Sequence, residues 1–331
     1  MQNKIAKNDL ETINEIIGAI KESSTAYISW HARPDGDALG GGVALYKILS
    51  DMGLDVRPVS PTKPSENYNF LKNFHKIEYS KQTEERDICF VIDCSNLDRL
   101  EGAGNLPSLS KKLICIDHHQ NNQMFGSINY VRPEVSSVAE LIMNVAKVAG
   151  TEIDKDFALS IYVGLLTDTN RFQEQNTNPQ SHLLAAELLE YVSPVDVATK
   201  IYGSESYDKL KLTAKALDSL KLSSSGRVGY MVLTPEMMEE SGGLDENTEG
   251  LVNYARNIRG ADAGVLFRKI KGLEGVKVSF RSKGLLDVGS ISEIYGGGGH
   301  HNASGCTFKG SLDDAVNEII PLLERKLDEL A

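Results

Sequence analysis

Apolar residues recur at helical spacing near the start of the chain. Leu10, Ile13, Ile16, Ile17 and Ile20 predict an amphipathic helix over about residues 9–24. The run Ala26–Trp30 then reads as a strand and is followed by a polar loop containing Asp and Gly. Residues Ala38–Met52 return to helical spacing before Gly53 leads into the strand-like LDVRPV, which completes a βαβ unit. Two further runs, ICFVID (Ile88–Asp93) and LICID (Leu113–Asp117), are nearly continuous in β-formers, as expected for parallel strands covered on both faces. Each ends in an aspartate. Helical patterns follow at about 137–149, 155–169 and 179–192, and a long amphipathic stretch runs from about 206 to 221. Beyond it the texture changes to the strand-like segments VGYMVLT, AGVLFRKI and VKVSFRS, with helical stretches near 245–259 and 311–329.

The pattern predicts an α/β protein. A parallel-sheet domain spans 1–200, a helical linker 201–220 and a smaller α+β domain 221–331, with a cleft between the two domains. A chain of 331 residues suits two domains at the usual ~100–200 residues each. The hydrophobic share of 41% and charged share of 24% are those of an ordinary globular chain. The four cysteines, Cys89, Cys94, Cys115 and Cys306, show no CxxC spacing and read as reduced core thiols. Charges interrupt the apolar positions of the N-terminus, so it reads neither as a signal peptide nor as a membrane span; the expectation is a cytoplasmic protein.

Charge narrows the partners. The 46 acidic residues outnumber the 35 basic ones, for a net charge of −11, which argues against a protein that coats long duplex DNA with Lys and Arg. A small anionic substrate remains compatible, because the field inside a cleft need not follow the net charge.

The ends of the apolar runs carry the candidate chemistry. His31-Ala-Arg-Pro-Asp35-Gly-Asp37 follows the first strand, Asp93 closes the second run, and Asp117-His118-His119 closes the third. Asp168 ends the helical pattern of Gly164-Leu-Leu-Thr-Asp168-Thr. Singly, each acid fits a solvated turn or a cap, and the first loop alone fits an Asx-turn with a helix N-cap. Together they place carboxylates and imidazoles at the carboxyl ends of strands, where open α/β sheets bind ligands. Clustered carboxylates repel unless cations neutralise them. Mixed Asp and His ligation favours manganese over calcium, and the lack of thiolates argues against structural zinc. Two divalent cations about 3.5–4 Å apart, bridged by a carboxylate, would activate water for an in-line displacement at phosphorus.

These residues resemble the DHH phosphoesterase family. HARPDGD, VIDCS, IDHHQNN and GLLTDTNRF stand in the order of its four motifs. The segment Gly297-Gly298-Gly299-His300-His301-Asn302-Ala303-Ser304-Gly305 resembles the signature of the DHH-associated C-terminal domain. The resemblance covers roughly residues 25–310. It implies that His31 and Asp35 bind one manganese, that Asp37, His118 and Asp168 bind a second, and that Asp93 bridges them. His119 would face the scissile phosphate and Asp117 would orient an imidazole. The C-terminal domain would hold the distal part of the substrate through Gly297, Gly298, Gly299, His300, His301 and nearby basic residues. Gly41 stands where the family often has Ser, and Val138 where it often has Thr.

The glycine run can also be read by itself. Without Cβ atoms its N–H groups can approach an anion closely, although an isolated GGGG would be a flexible turn. Arg281 and Lys283 fit phosphate contacts or an exposed strand end equally well.

The size and layout resemble the oligoribonuclease and pAp-phosphatase branch of the family. This implies a manganese-dependent phosphoesterase that cuts short oligoribonucleotides to mononucleotides and acts on the adenosine bisphosphate pAp. A soluble phosphodiesterase for cyclic di-AMP or its linear product is an alternative, as is an inorganic pyrophosphatase or exopolyphosphatase. A nucleotide-binding regulatory module without turnover is the non-enzymatic alternative. Surfaces of the N-terminal domain could support a homodimer, and no membrane partner is expected.

Overall fold

The computed structural model of the chain describes residues 5–79, 81–203 and 205–330, with the side chains of Glu246 and His300 outside the description. Two units divide the chain, Met1–Ser204 and Glu205–Ala331.

In the first unit the elements run α1 (Lys7–Lys21), β1 (Thr25–Ser29), α2 (Gly36–Asp51), β2 (Asp55–Pro58), β3 (Arg86–Ile92), β4 (Ser110–Asp117) and β5 (Ile128–Val131). Four helices follow: α3 (Val138–Ala149), α4 (Lys155–Asp168), α5 (Pro179–Leu188) and α6 (Pro194–Tyr202). The sheet order is β2-β1-β3-β4-β5 and every pairing is parallel. Alternate residues feed two cores, which is why the strands read as unbroken apolar runs. Ile88, Phe90 and Ile92 join the large core under the helices, whereas Cys89 and Val91 pack with Tyr27, Leu100 and Leu106 on the other face. The strand order reverses between β1 and β3, so the crevice characteristic of an open α/β sheet lies beyond the carboxyl ends of those two strands. Trp30, at the end of β1, is fully buried, with its indole N–H donating to Ser60 Oγ at 3.2 Å.

Glycines set how closely α2 can approach α4. A Cβ at Gly40 would lie 2.4 Å from the backbone oxygen of Ser160, and one at Gly164 would lie 2.7 Å from Asp37 Oδ1. The two helices therefore touch backbone to backbone. That contact brings Asp37, at the start of α2, to Asp168, at the end of α4.

The second unit runs α7 (Tyr207–Asp218), β6 (Lys221–Leu222), β7 (Val228–Leu233), α8 (Pro235–Ser241), α9 (Val252–Arg256), β8 (Ala263–Arg268) and β9 (Val276–Ser282). It ends with α10 (Val288–Ile294), β10 (Gly298–His300), β11 (Ala303–Phe308) and α11 (Leu312–Asp328). Its sheet order is β10-β11-β9-β8-β7-β6, antiparallel except for the parallel pair β7 and β8. The stretch read as a linker is α7, which packs inside this unit: Leu212 and Ala216 are buried with Met231, Leu233 and Leu266. All four cysteines are buried and unbridged. Among the described residues, no helix is long and apolar enough to cross a membrane.

The glycine run differs from the open turn that a GGGG string suggests. Gly298 and Gly299 belong to edge strand β10 and pair with Gly305 and Ser304 of β11. A Cβ at Gly297 would lie 2.2 Å from the Gly305 oxygen, and Gly299 adopts φ +149° with no room beside Ala303 and Ser304. Close approach to β11 accounts for these glycines within the unit itself.

Two glycine substitutions test the packing. Gly40→Ala should destabilise the chain by about 1–3 kcal/mol, because backbone cannot yield as a flexible side chain can. Gly18→Ala, inside α1 with nothing within 4 Å of the added methyl, should stabilise it by about 0.5–1 kcal/mol. Denaturant unfolding of both variants reads the two signs.

Candidate metal centre

Each acid is positioned by the end of a regular element. Asp35 is the N-cap of α2: its Oδ1 accepts from the N–H groups of Asp37 and Ala38 at 3.0 and 3.1 Å. Oδ2 is left to face His31 Nε2 at 4.0 Å. His31 Nδ1 lies 2.8 Å from its neighbour's carbonyl, Ala32 O, which fixes the proton there and turns the bare Nε2 toward Asp93 Oδ2, 3.4 Å away. Asp37 is fully buried, and both its oxygens accept from the N-terminus of α3, from Val138 N at 2.6 Å and Ala139 N at 3.0 Å.

Asp93 follows β3 with φ +49°, a left-handed conformation unusual for a residue other than glycine. The turn points its two oxygens in different directions. Oδ2 faces His31, and Oδ1 stands 3.6 Å from His118 Nε2 and 3.7 Å from His119 Nδ1. At the end of β4, Asp117 Oδ1 lies 2.7 Å from His119 Nδ1, while Asn122 Nδ2 donates to Asp117 Oδ2 at 2.6 Å. Asp168 Oδ2 stands 3.7 Å from His118 Nε2 and accepts from Asn176 Nδ2 at 2.8 Å.

Three groups offer ligand atoms within 4.8 Å of one another: His31, Asp35 and Asp93; Asp37, His118 and Asp168; and Asp93, His118 and His119. The electrostatics are those of a site built for cations. Burial pushes the Asp37 carboxyl well up, reinforced by Asp93 and Asp168, although the helix N–H groups that it accepts from favour its charged form. Burial likewise pushes Asp168 up to about 7, with Asp35 and Asp93 adding to the shift and His118 opposing it. Burial acts to raise Asp93 too, but the adjoining imidazoles of His118 and His31 prevail and hold it well below the carboxylate range. His118 is raised despite its burial by Asp168, Asp93 and Asp37. A divalent cation would satisfy all these groups at once, with the carboxylates charged and the imidazoles neutral.

The remaining candidates lie on the second unit. Arg281 of β9 is in register with Ala303 of β11, which in turn pairs with His300 of β10. The side chain of His300 lies outside the described residues. His301 Nε2 is 3.0 Å from the Gly284 carbonyl and Nδ1 is 3.8 Å from Asp287. Two arginines of the first unit, Arg132 and Arg171, are engaged with side chains other than the acids of the cluster. Arg132 pairs with Asp9 and lies over Tyr130, and Arg171 lies over the ring of Tyr202.

A family model described as the DHH family, N-terminal domain, matches residues 25–165, and one described as the DHHA1 domain matches residues 230–329. The chain carries a DHH N-terminal domain and a DHHA1 domain. It is 29% identical to the bifunctional oligoribonuclease and PAP phosphatase NrnA of Thermus thermophilus, over 96% of this chain and 94% of that protein. It is also 29% identical to the protein of that name from Bacillus subtilis, over 91% and 94%. Among solved structures, an exopolyphosphatase-related protein from Bacteroides fragilis superposes with a TM-score of 0.91 at 26% identity, covering 100% of this chain and 99% of that one.

The two departures from the DHH pattern meet in space. A Cβ at Gly41 would lie 3.0 Å from Val138 Cγ1, so the smaller residue in α2 makes room for an apolar one at the start of α3. Both lie beside Asp37 without altering its donors. Asn122 and Asn176, which hold Asp117 and Asp168, escaped the reading of the sequence, as did Arg99, whose Nη1 reaches His119 Nε2 at 3.4 Å. Asn122 is the last residue of IDHHQNN. Asn176 stands eight residues past Asp168 in a polar stretch with no periodicity to mark it.

Proton linkage gives a test. A buried acid whose folded value is raised binds its proton over a wider pH range folded than unfolded, so its contribution to stability falls as pH rises between the two values. For Asp168 that window runs from about 4 to about 7. The raised Asp37 and His118 act in the same direction. The metal-free protein should therefore lose thermal stability as pH rises through this window, and the increase in Tm on adding divalent metal should grow with pH. Thermal melts with chelator and with metal at several pH values read both trends; a metal increment independent of pH would contradict the assignment.

Proposed function

We infer that this DHH protein is a hydrolase of phosphoester bonds that works with two divalent cations, manganese being the best fit. Its substrates are short oligoribonucleotides, cut to mononucleotides, and pAp, cut to AMP and phosphate. The observation carrying this reading is a site in which Asp93 offers one oxygen to each of two Asp and His groups, on a chain similar nearly end to end to relatives named for those activities.

His31, Asp35 and Asp93 would hold one cation, and Asp37, His118, Asp168 and Asp93 the other. When bound, such a pair supplies activated water and neutralises charge on the phosphoryl oxygens. The chain's own residues orient this equipment. The helix α3 N-terminus holds Asp37, Asn176 holds Asp168, and the Ala32 carbonyl keeps the His31 proton away from the cluster. Asp117, itself held by Asn122, keeps the His119 proton on Nδ1 and so fixes the ring that would face the scissile phosphate. On the second unit, Arg281, Gly297, Gly298, Gly299, His300 and His301 are the candidates for substrate binding.

The exopolyphosphatase-related neighbour favours a second reading, a polyphosphatase. A substrate panel with manganese separates the two. A 5′-phosphorylated diribonucleotide should yield mononucleotides and pAp should yield phosphate, whereas phosphate from tripolyphosphate alone would move the protein to the second reading. Asp93→Ala should lower turnover by about 100-fold or more, in keeping with the several kcal/mol that metal ions contribute. The variant should remain folded, because the substitution relieves carboxylate repulsion. A folded variant with full activity would contradict the shared-ligand assignment.

A further inference from the structure

Arg99 stands in the 3-10 segment Leu97–Ala103, which follows β3 and Asp93. Its guanidinium meets His119, with Nη1 3.4 Å from Nε2. A guanidinium has no lone pair to offer, so Arg99 donates and Nε2 accepts; this agrees with a ring proton on Nδ1 facing Asp117. The backbone of Arg99 is pinned on two sides. Its carbonyl accepts from Ala32 N at 2.8 Å, which ties it to the loop bearing His31, and its N–H donates to Asn96 Oδ1 at 3.2 Å. The side chain therefore leaves a fixed point between the loops that carry the acids.

An arginine beside buried aspartates is most simply a counter-ion for them. Arg99 does not have that geometry. Among the described residues, no carboxylate oxygen forms an ion pair with its guanidinium, although Asp93 and Asp117 both stand within 3.7 Å of the ring that it touches. It is also only half-buried, so part of its donor fork remains accessible. Once cations occupy the aspartates, a fixed positive charge at this place gains a favourable partner only when an anion arrives. Guanidinium matches the spacing of phosphoryl oxygens with two parallel donors.

We propose that Arg99 binds the non-bridging oxygens of the phosphoryl group under attack, beside His119, and is a catalytic residue of the DHH centre. The proposal rests on the phosphoester-hydrolase reading for its reaction. It does not rest on the choice among RNA, pAp and polyphosphate, all of which present the same group.

The test compares wild type, Arg99→Ala and Arg99→Lys, all loaded with manganese. Four quantities are measured: kcat and KM on the best substrate of the panel, calorimetric affinity for inorganic phosphate, metal stoichiometry and Tm. Arg99→Ala should lower kcat/KM by about 100-fold, the usual loss when one donor to developing charge is removed. It should weaken phosphate binding at least tenfold, with metal stoichiometry and Tm unchanged. Arg99→Lys should recover part of the rate, and guanidinium ion added to Arg99→Ala should restore part of it. Arg99→Ala within threefold of wild type in both rate and phosphate affinity overturns the proposal. A loss of rate accompanied by loss of metal or Tm, with phosphate affinity intact, also overturns it by showing a structural role. If wild type hydrolyses nothing in the panel, the functional reading fails, and the phosphate-binding arm still tests Arg99 by itself.

Discussion

Carboxylates buried together at the end of a parallel sheet repel one another, and that repulsion is the constraint around which the first unit is arranged. Asp37 has no solvent exposure and Asp93 only 3%, and their oxygens converge on His118 from different elements. Water cannot disperse charge there. The chain compensates by aiming the N-terminus of α3 at Asp37, by capping α2 with one oxygen of Asp35, and by turning Asp93 through a left-handed backbone angle so that its oxygens face different imidazoles. These devices orient the acids without neutralising them, and the remaining imbalance is what divalent cations satisfy.

The same constraint explains the glycines of α2 and α4. Ordinary helix packing holds axes about 8–10 Å apart, and side chains at the contact would separate Asp37 from Asp168. With Gly40 against Ser160 and Gly164 against Asp37, the helices meet at their backbones, and acids far apart in sequence come together. Trp30 fills the space that Gly42 leaves open, where a Cβ would lie 2.4 Å from its ring.

Much of this was legible in the sequence because the parallel sheet leaves a strong signature. Ile88–Asp93 and Leu113–Asp117 could be placed as strands since both faces are covered, and the acids that end them mark the ligand end of the sheet. Shorter or more polar elements were not legible. Strand β5 has four residues with Asn129 among them, and β10 consists of glycines followed by histidine, a string that reads as a turn until β11 is seen to pair with it. Helix α6 has no counterpart among the expected elements, although Ser193 and Pro194 mark a helix start. Helix α7, an amphipathic stretch between two sheets, reads as a connector, and the buried positions Leu212 and Ala216 place it in the second unit. The helpers of the site, Arg99, Asn122 and Asn176, carry no periodicity, because their roles depend on contacts that loops make in three dimensions.

The most direct test of the central claim is an anomalous diffraction map from crystals of the chain grown with manganese. Two peaks should appear on either side of Asp93, one against His31 and Asp35 and the other against Asp37, His118 and Asp168, each within bonding distance of a different Asp93 oxygen. A single peak, or a pair that leaves Asp93 unbound, would contradict the shared-carboxylate account.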